Sequence, residues 1–87
     1  MNISIIGCGY ISYYYCVSLN NYNNINLIGV YDKNKVKRDK LADYNKCISY
    51  DSFDDLLNDK SVDIVLNLTN PKYHYELNKE ILSNNKN

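Results

Sequence analysis

Four short apolar runs punctuate the chain, and between them the apolar residues fall into a helical spacing. Ile3-Ser4-Ile5-Ile6 is β-branched, closes on a glycine, and has the pattern of a strand buried on both faces. From Tyr10 to about Leu19 there is no proline or glycine. Ile11, Tyr15 and Leu19 recur there at helical spacing, while Ser12 and Cys16 place two small side chains on one stripe. The asparagine-rich loop Asn20-Asn21-Tyr22-Asn23-Asn24 leads into a second strand, residues 25–31, that ends at Asp32. Lys33 to about Tyr44 reads as an amphipathic surface helix with Val36, Leu41 and Ala42 turned inward. Residues 47–50 form a short third strand, and Ser52-Phe53-Asp54-Asp55 fits a capping box that starts a helix of about two turns, Phe53 to Asn58. Residues 62–68 are the fourth strand. Asn70-Pro71 then pairs a capping asparagine with a proline at the first helical position, and Tyr73, Leu77 and Ile81 define one face of the helix that follows.

Strand and helix alternate with connections of a few residues, which implies parallel strands and helices on both faces of the sheet. The expected fold is α/β, a Rossmann-like three-layer α/β/α domain over residues 1–87. Its parallel sheet has about four strands in the order 3-2-1-4 and is incomplete at the strand-four edge.

One turn in this frame carries chemistry. Gly7-Cys8-Gly9-Tyr10-Ile11-Ser12 lies between the first strand and the first helix, the context in which a GxGxxG-like match acquires meaning. Gly7 permits the tight turn, Gly9 lets a pyrophosphate approach the backbone, and the third position must be small so that helix and strand can pack. Ser12 occupies that third position in place of glycine. The backbone of Gly7, Cys8, Gly9, Tyr10 and Ile11 is therefore expected to face the phosphates, with the helix N-terminus offering unpaired N–H groups and partial positive charge. Asp32 follows Gly7 at close to the ~20-residue interval of an acid that binds the ribose hydroxyls. That charge repels a 2′-phosphate and favours NAD over NADP, whereas Lys33 beside it offers the phosphate a cation. A glycine pair also closes ordinary strand-to-helix turns, and Asp32 also suits the cap of the helix behind it. Strand, turn, helix and acid falling together favour the nucleotide.

Composition removes several alternatives. Ten basic and ten acidic side chains cancel, and no basic face for nucleic acid is indicated. The N-terminus lacks a basic region ahead of an apolar segment, and no apolar stretch approaches the ~20 residues of a membrane span, so a cytoplasmic protein without membrane partners is expected. Cys8, Cys16 and Cys47 show no CxxC spacing and read as small buried apolar groups rather than a disulfide framework or zinc site. Cys8, near a helix N-terminus, also has the setting of a redox thiol, but a small side chain tolerated in the turn is the simpler reading. Asn2-Ile3-Ser4 and Asn67-Leu68-Thr69 match the glycosylation triplet but fall in or beside strands. The frequency of asparagine, tyrosine and lysine reads as a bias of the source.

The chain resembles the N-terminal domain of the Gfo/Idh/MocA oxidoreductases over nearly all its residues. The resemblance rests on "IIGCGYIS", "GVYD", "YDSFDDLLNDKSVDIV" and "LNLTNPKYHYE". It implies an NAD(P)-dependent dehydrogenase acting on a hydroxyl of a sugar, cyclitol or similar small molecule. In that family the loop after the fourth strand lies over the cofactor, which places Leu68, Thr69, Asn70 and Pro71 beside the nicotinamide half and His74 in the first turn of the next helix. By its own chemistry His74 is a lone histidine, as suited to starting a helix as to touching cofactor, and no metal ligand set accompanies it. Family members continue with a Glu-Lys-Pro motif, whose lysine is associated with catalysis, and with a substrate domain. Neither is found here, and "ILSNNKN" resembles the segment leading into that motif.

The expectation is accordingly the dinucleotide-binding portion of such an enzyme, catalytically inactive by itself and bearing no catalytic residue of its own. A small polar substrate is expected only in a longer parent. The competing reading is a stand-alone nucleotide-binding or protein-interaction module that uses its uncovered sheet edge for a partner or for homo-oligomer formation.

Overall fold

A computed structural model describes residues 1–69 and 81–83. Along the chain run β1 (Asn2–Ile6), α1 (Tyr10–Asn20), β2 (Asn26–Tyr31), α2 (Lys35–Asn45), β3 (Ile48–Ser49), α3 (Phe53–Leu57) and β4 (Ile64–Asn67). The strands form one sheet in the order β3-β2-β1-β4, and each pairing is parallel. Ile5 of β1 stands beside Val30 of β2 and Leu66 of β4, so the C-terminal ends of the three long strands finish together.

Alternation along the strands divides the core between two faces of the sheet. Ile5 and Val30 meet Cys8, Cys16, Leu41 and Ala42, which places α1 and α2 on one side. Ile6 and Val65 meet Tyr50, Leu56, Leu57, Val62 and Ile81, which places α3 and the helical residues 81–83 on the other. The result is the three-layer arrangement expected from the sequence. On this second face the fully buried Ser4 hydroxyl lies 3.4 Å from the Tyr50 hydroxyl, which donates to Asp59 Oδ2 at 2.6 Å.

The helices turn definite faces to the sheet. In α1 the buried face is the narrow stripe of Ser12 and Cys16, while Ile11 is 63 % and Tyr15 45 % exposed. The small side chains bring the helix close to the sheet, and that approach, rather than the sum of apolar area, orients it. In α2 the inward residues are Arg38, Leu41 and Ala42, and Val36 is exposed. Arg38 reaches across to donate to the Asp51 carbonyl at 3.2 Å, with its guanidinium 5.7 Å from the centre of the Tyr31 ring. The helix also begins at Lys35 rather than Lys33, since Asn34 is its cap and accepts from the Lys37 N–H at 3.1 Å. The Ser52 cap of α3 is as expected, its hydroxyl accepting from the Asp55 N–H. Of the expected helix from Pro71 onward, only Ile81 to Ser83 lie within the described residues.

Candidate functional site

The site is the turn between β1 and α1 together with what the neighbouring strand ends place against it. Gly7 leaves the strand at φ +98°, a conformation that L side chains avoid. A methyl built on it would stand 2.8 Å from the carbonyl carbon and oxygen of Leu68 and 2.9 Å from the Thr69 nitrogen. Glycine here therefore serves both the turn and the close passage of the loop after β4. That loop is itself ordered by strand ends: the Leu68 N–H donates to the Ile6 carbonyl at 2.8 Å, and Asn67 Oδ1 accepts from the backbone and hydroxyl of Thr69. In the sequence Asn67 stands out only in a glycosylation triplet, although an asparagine two residues before threonine at a strand end is a recognisable turn signal.

From the other side, β2 holds the turn by three contacts. The Gly7 N–H donates to the Tyr31 carbonyl at 2.8 Å, the Cys8 N–H to Asp32 Oδ2 at 2.8 Å, and the Cys8 thiol to the Tyr31 carbonyl at 3.6 Å. Asp32 Oδ1 accepts from the Asn34 N–H at 2.8 Å. This half-buried carboxylate thus fastens two loops, each oxygen taken by a backbone N–H. It does not cap α2, the alternative left open by the sequence, because Asn34 does so.

Gly9 is exposed, and a Cβ added to it would meet nothing within 4 Å. It is also the N-cap of α1 and supplies no side-chain bond to the helix, and the first turn carries no acidic residue. The starts of α2 and α3 are both closed by capping side chains, whereas among the described residues no side chain caps α1, whose Gly9 faces open space with the Asp32 carboxylate beside it at the Cys8 N–H. Open space over a glycine at an uncapped helix N-terminus suits a phosphate diester, so the residues present fit the group that the sequence pattern implied.

Burial pushes the Cys8 thiol up to about 12, with the Asp32 charge, Cys16 and Cys47 adding to the rise and Arg38 opposing it. Cys16 and Cys47 are raised to about 11, burial again being the first cause. Burial thus favours the neutral thiol at all three positions, the setting of structural rather than nucleophilic cysteines. Among the described residues no group of three or more His, Cys, Asp or Glu side chains is arranged to hold a metal, and no helix is long and apolar enough to cross a membrane.

The structure therefore brings together Gly7, Cys8, Gly9, Asp32, Leu68 and Thr69, with Tyr10 and Ile11 exposed in the first turn of α1. Lys33 is exposed next to Asp32. Asn70, Pro71 and His74 lie outside the described residues.

Compared with known families, the chain matches over residues 1–87 the GFO_IDH_MocA family, the oxidoreductase family with an NAD-binding Rossmann fold. The chain belongs to this family. It is an NAD(P)-binding oxidoreductase domain of the Gfo/Idh/MocA type, as its sequence motifs implied. A comparison with curated proteins found no match.

Among solved structures, an NAD-binding protein from Listeria innocua is 29 % identical with a TM-score of 0.89, over 98 % of this chain and 25 % of that one. GenD2 from gentamicin A biosynthesis, in complex with NAD, is 18 % identical with a TM-score of 0.95, over 100 % of this chain and 25 % of that one. The UDP-N-acetylglucosamine 3-dehydrogenase GnnA from Acidithiobacillus ferrooxidans is 23 % identical with a TM-score of 0.87, over 99 % of this chain and 27 % of that one. The last two speak for the fold alone. The chain spans about a quarter of the length of these family members.

Proposed function

We propose that the turn Gly7 to Ser12 holds the pyrophosphate of a nicotinamide dinucleotide and that Asp32 receives the adenosine ribose. The observation that carries this is the open, uncapped start of α1 over Gly9, flanked by the fixed Asp32 carboxylate. Cys8, Tyr10 and Ile11 line the turn. Leu68 and Thr69 lie against Gly7, and the family resemblance assigns them, with Asn70, Pro71 and His74 outside the described residues, to the nicotinamide half.

NAD is the favoured cofactor. Asp32 keeps both oxygens on backbone donors, so its charge stays at the ribose and opposes a 2′-phosphate despite Lys33. When bound, the dinucleotide supplies hydride transfer, and these residues supply binding and orientation.

The substrate class this reading takes is a hydroxyl of a sugar, cyclitol or related polar molecule, supported by the family resemblance. Holding that substrate against the nicotinamide needs further groups beside the cofactor-binding residues, and the chain spans about a quarter of the neighbours' length. The 87 residues alone are accordingly a cofactor-binding unit without turnover. Titration with NADH and NADPH, followed by nicotinamide fluorescence, tests the reading. Saturable binding with NADH the tighter ligand is expected; no binding of either at millimolar concentration would contradict it.

A further inference from the structure

Ser12 breaks the glycine pattern of the turn, and its side chain has a definite partner. It is 1 % exposed, and its hydroxyl donates to the carbonyl of Gly7. The polar groups of the turn are thereby held from two sides: β2 takes the N–H groups of Gly7 and Cys8, and α1 takes the Gly7 carbonyl. Gly9 has no side chain with which to grip the turn, and the Ser12 N–H bonds back to the Gly9 carbonyl at 3.1 Å. A glycine at position 12 would have the room but not the donor. Water cannot replace the hydroxyl easily at a site this closed.

We infer that Ser12 is a positioning residue for the phosphate turn, fixing the Gly7 peptide so that the space over Gly9 stays shaped for a diphosphate before the ligand arrives. This rests on the nucleotide-binding reading and extends it to how the turn is preorganised. A side chain that merely filled space would act differently: alanine keeps the Cβ and would substitute well, and only glycine would loosen the packing. A hydrogen-bonding role makes alanine and glycine equally poor.

The test is titration of ADP and of adenosine into the unsubstituted chain, Ser12→Ala and Ser12→Gly, followed by NMR. Loss of one net hydrogen bond corresponds to about a fivefold weakening of ADP binding in both variants, with adenosine binding unchanged because it lacks the diphosphate. Ser12→Ala binding ADP as tightly as the unsubstituted chain would overturn the inference, as would equal weakening of ADP and adenosine. Failure of the unsubstituted chain to bind ADP, adenosine or NADH would instead overturn the nucleotide reading and this inference with it. Should Ser12→Ala not fold, amide exchange at Cys8 and Gly9 in ligand-free Ser12→Gly decides: faster exchange than in the unsubstituted chain is expected, and unchanged exchange refutes the role.

Discussion

Gly7 and Gly9 are one residue apart, yet a methyl group added to each meets opposite surroundings. At Gly7 it would strike backbone atoms of Leu68 and Thr69 under 3 Å away, in a conformation already unfavourable to it. Backbone cannot retract as a side chain can, so Gly7→Ala should cost about 2 kcal/mol or more of stability, measured by urea unfolding. At Gly9 the methyl would enter open space at φ −85°, which any residue adopts. Gly9→Ala should therefore lose less than about 1 kcal/mol of stability while weakening NADH binding at least about tenfold, because it fills the space that a pyrophosphate would take. A turn with a purely structural purpose would show no such separation of stability from binding. The steric settings of these two glycines, crowded at Gly7 and open at Gly9, were readable from sequence because each position in the motif has its own steric requirement. The two bonds of Asp32 were not, since the spacing of an acid tells nothing about which loops its oxygens will meet.

At the level of elements, strands were easier to read than helix faces. A run such as Ile3 to Ile6 is buried on both sides, and no choice of face is needed to recognise it. In α1 the choice of face mattered, and the spacing of Ile11 and Tyr15 does not decide it, because tyrosines occupy so much of that helix that apolar spacing loses its contrast. The small pair Ser12 and Cys16 was the better guide, since close packing needs a flat stripe. The start of α2 was misplaced for a related reason: Asp32 looks like a cap, but its carboxylate is occupied at the turn and at Asn34. Capping passes to Asn34. Asn34→Ala should then cost about 1 kcal/mol in thermal or urea unfolding, with NADH affinity little changed because the Asn34 backbone N–H that meets Asp32 remains. An equal loss of affinity would mean that α2 and the site are one cooperative unit.

Across the whole molecule, the core shields groups that prefer to stay neutral. Burial raises Cys8 and Tyr50 to about 12 and Cys16 and Cys47 to about 11, and the Tyr50 hydroxyl also spends its proton on Asp59. An unfolded thiol loses its proton near 9, while the folded one keeps it, so the unfolded state binds fewer protons above that pH. Stability is thus complete below pH 9 and falls as pH rises toward 11 to 12, by about 1 kcal/mol per pH unit for each such thiol. Urea midpoints at pH 8 and pH 10 should show the drop, and Cys8→Ala should make the dependence shallower; a flat profile would mean that the thiols are hydrated. The same three-layer body leaves β4 at the edge of the sheet among the described residues and covers about a quarter of the length of its structural neighbours. What it presents at the C-terminal ends of β1, β2 and β4 is the place we propose for the cofactor. The most direct measurement of that claim is a titration of the ¹⁵N-labelled chain with NAD⁺, following each backbone amide. Saturable shifts concentrated at Gly7 to Ser12 and at Asp32 to Asn34, with α3 unmoved, are the predicted result; the absence of shifts at millimolar NAD⁺, or shifts confined to the opposite end of the sheet, would contradict it.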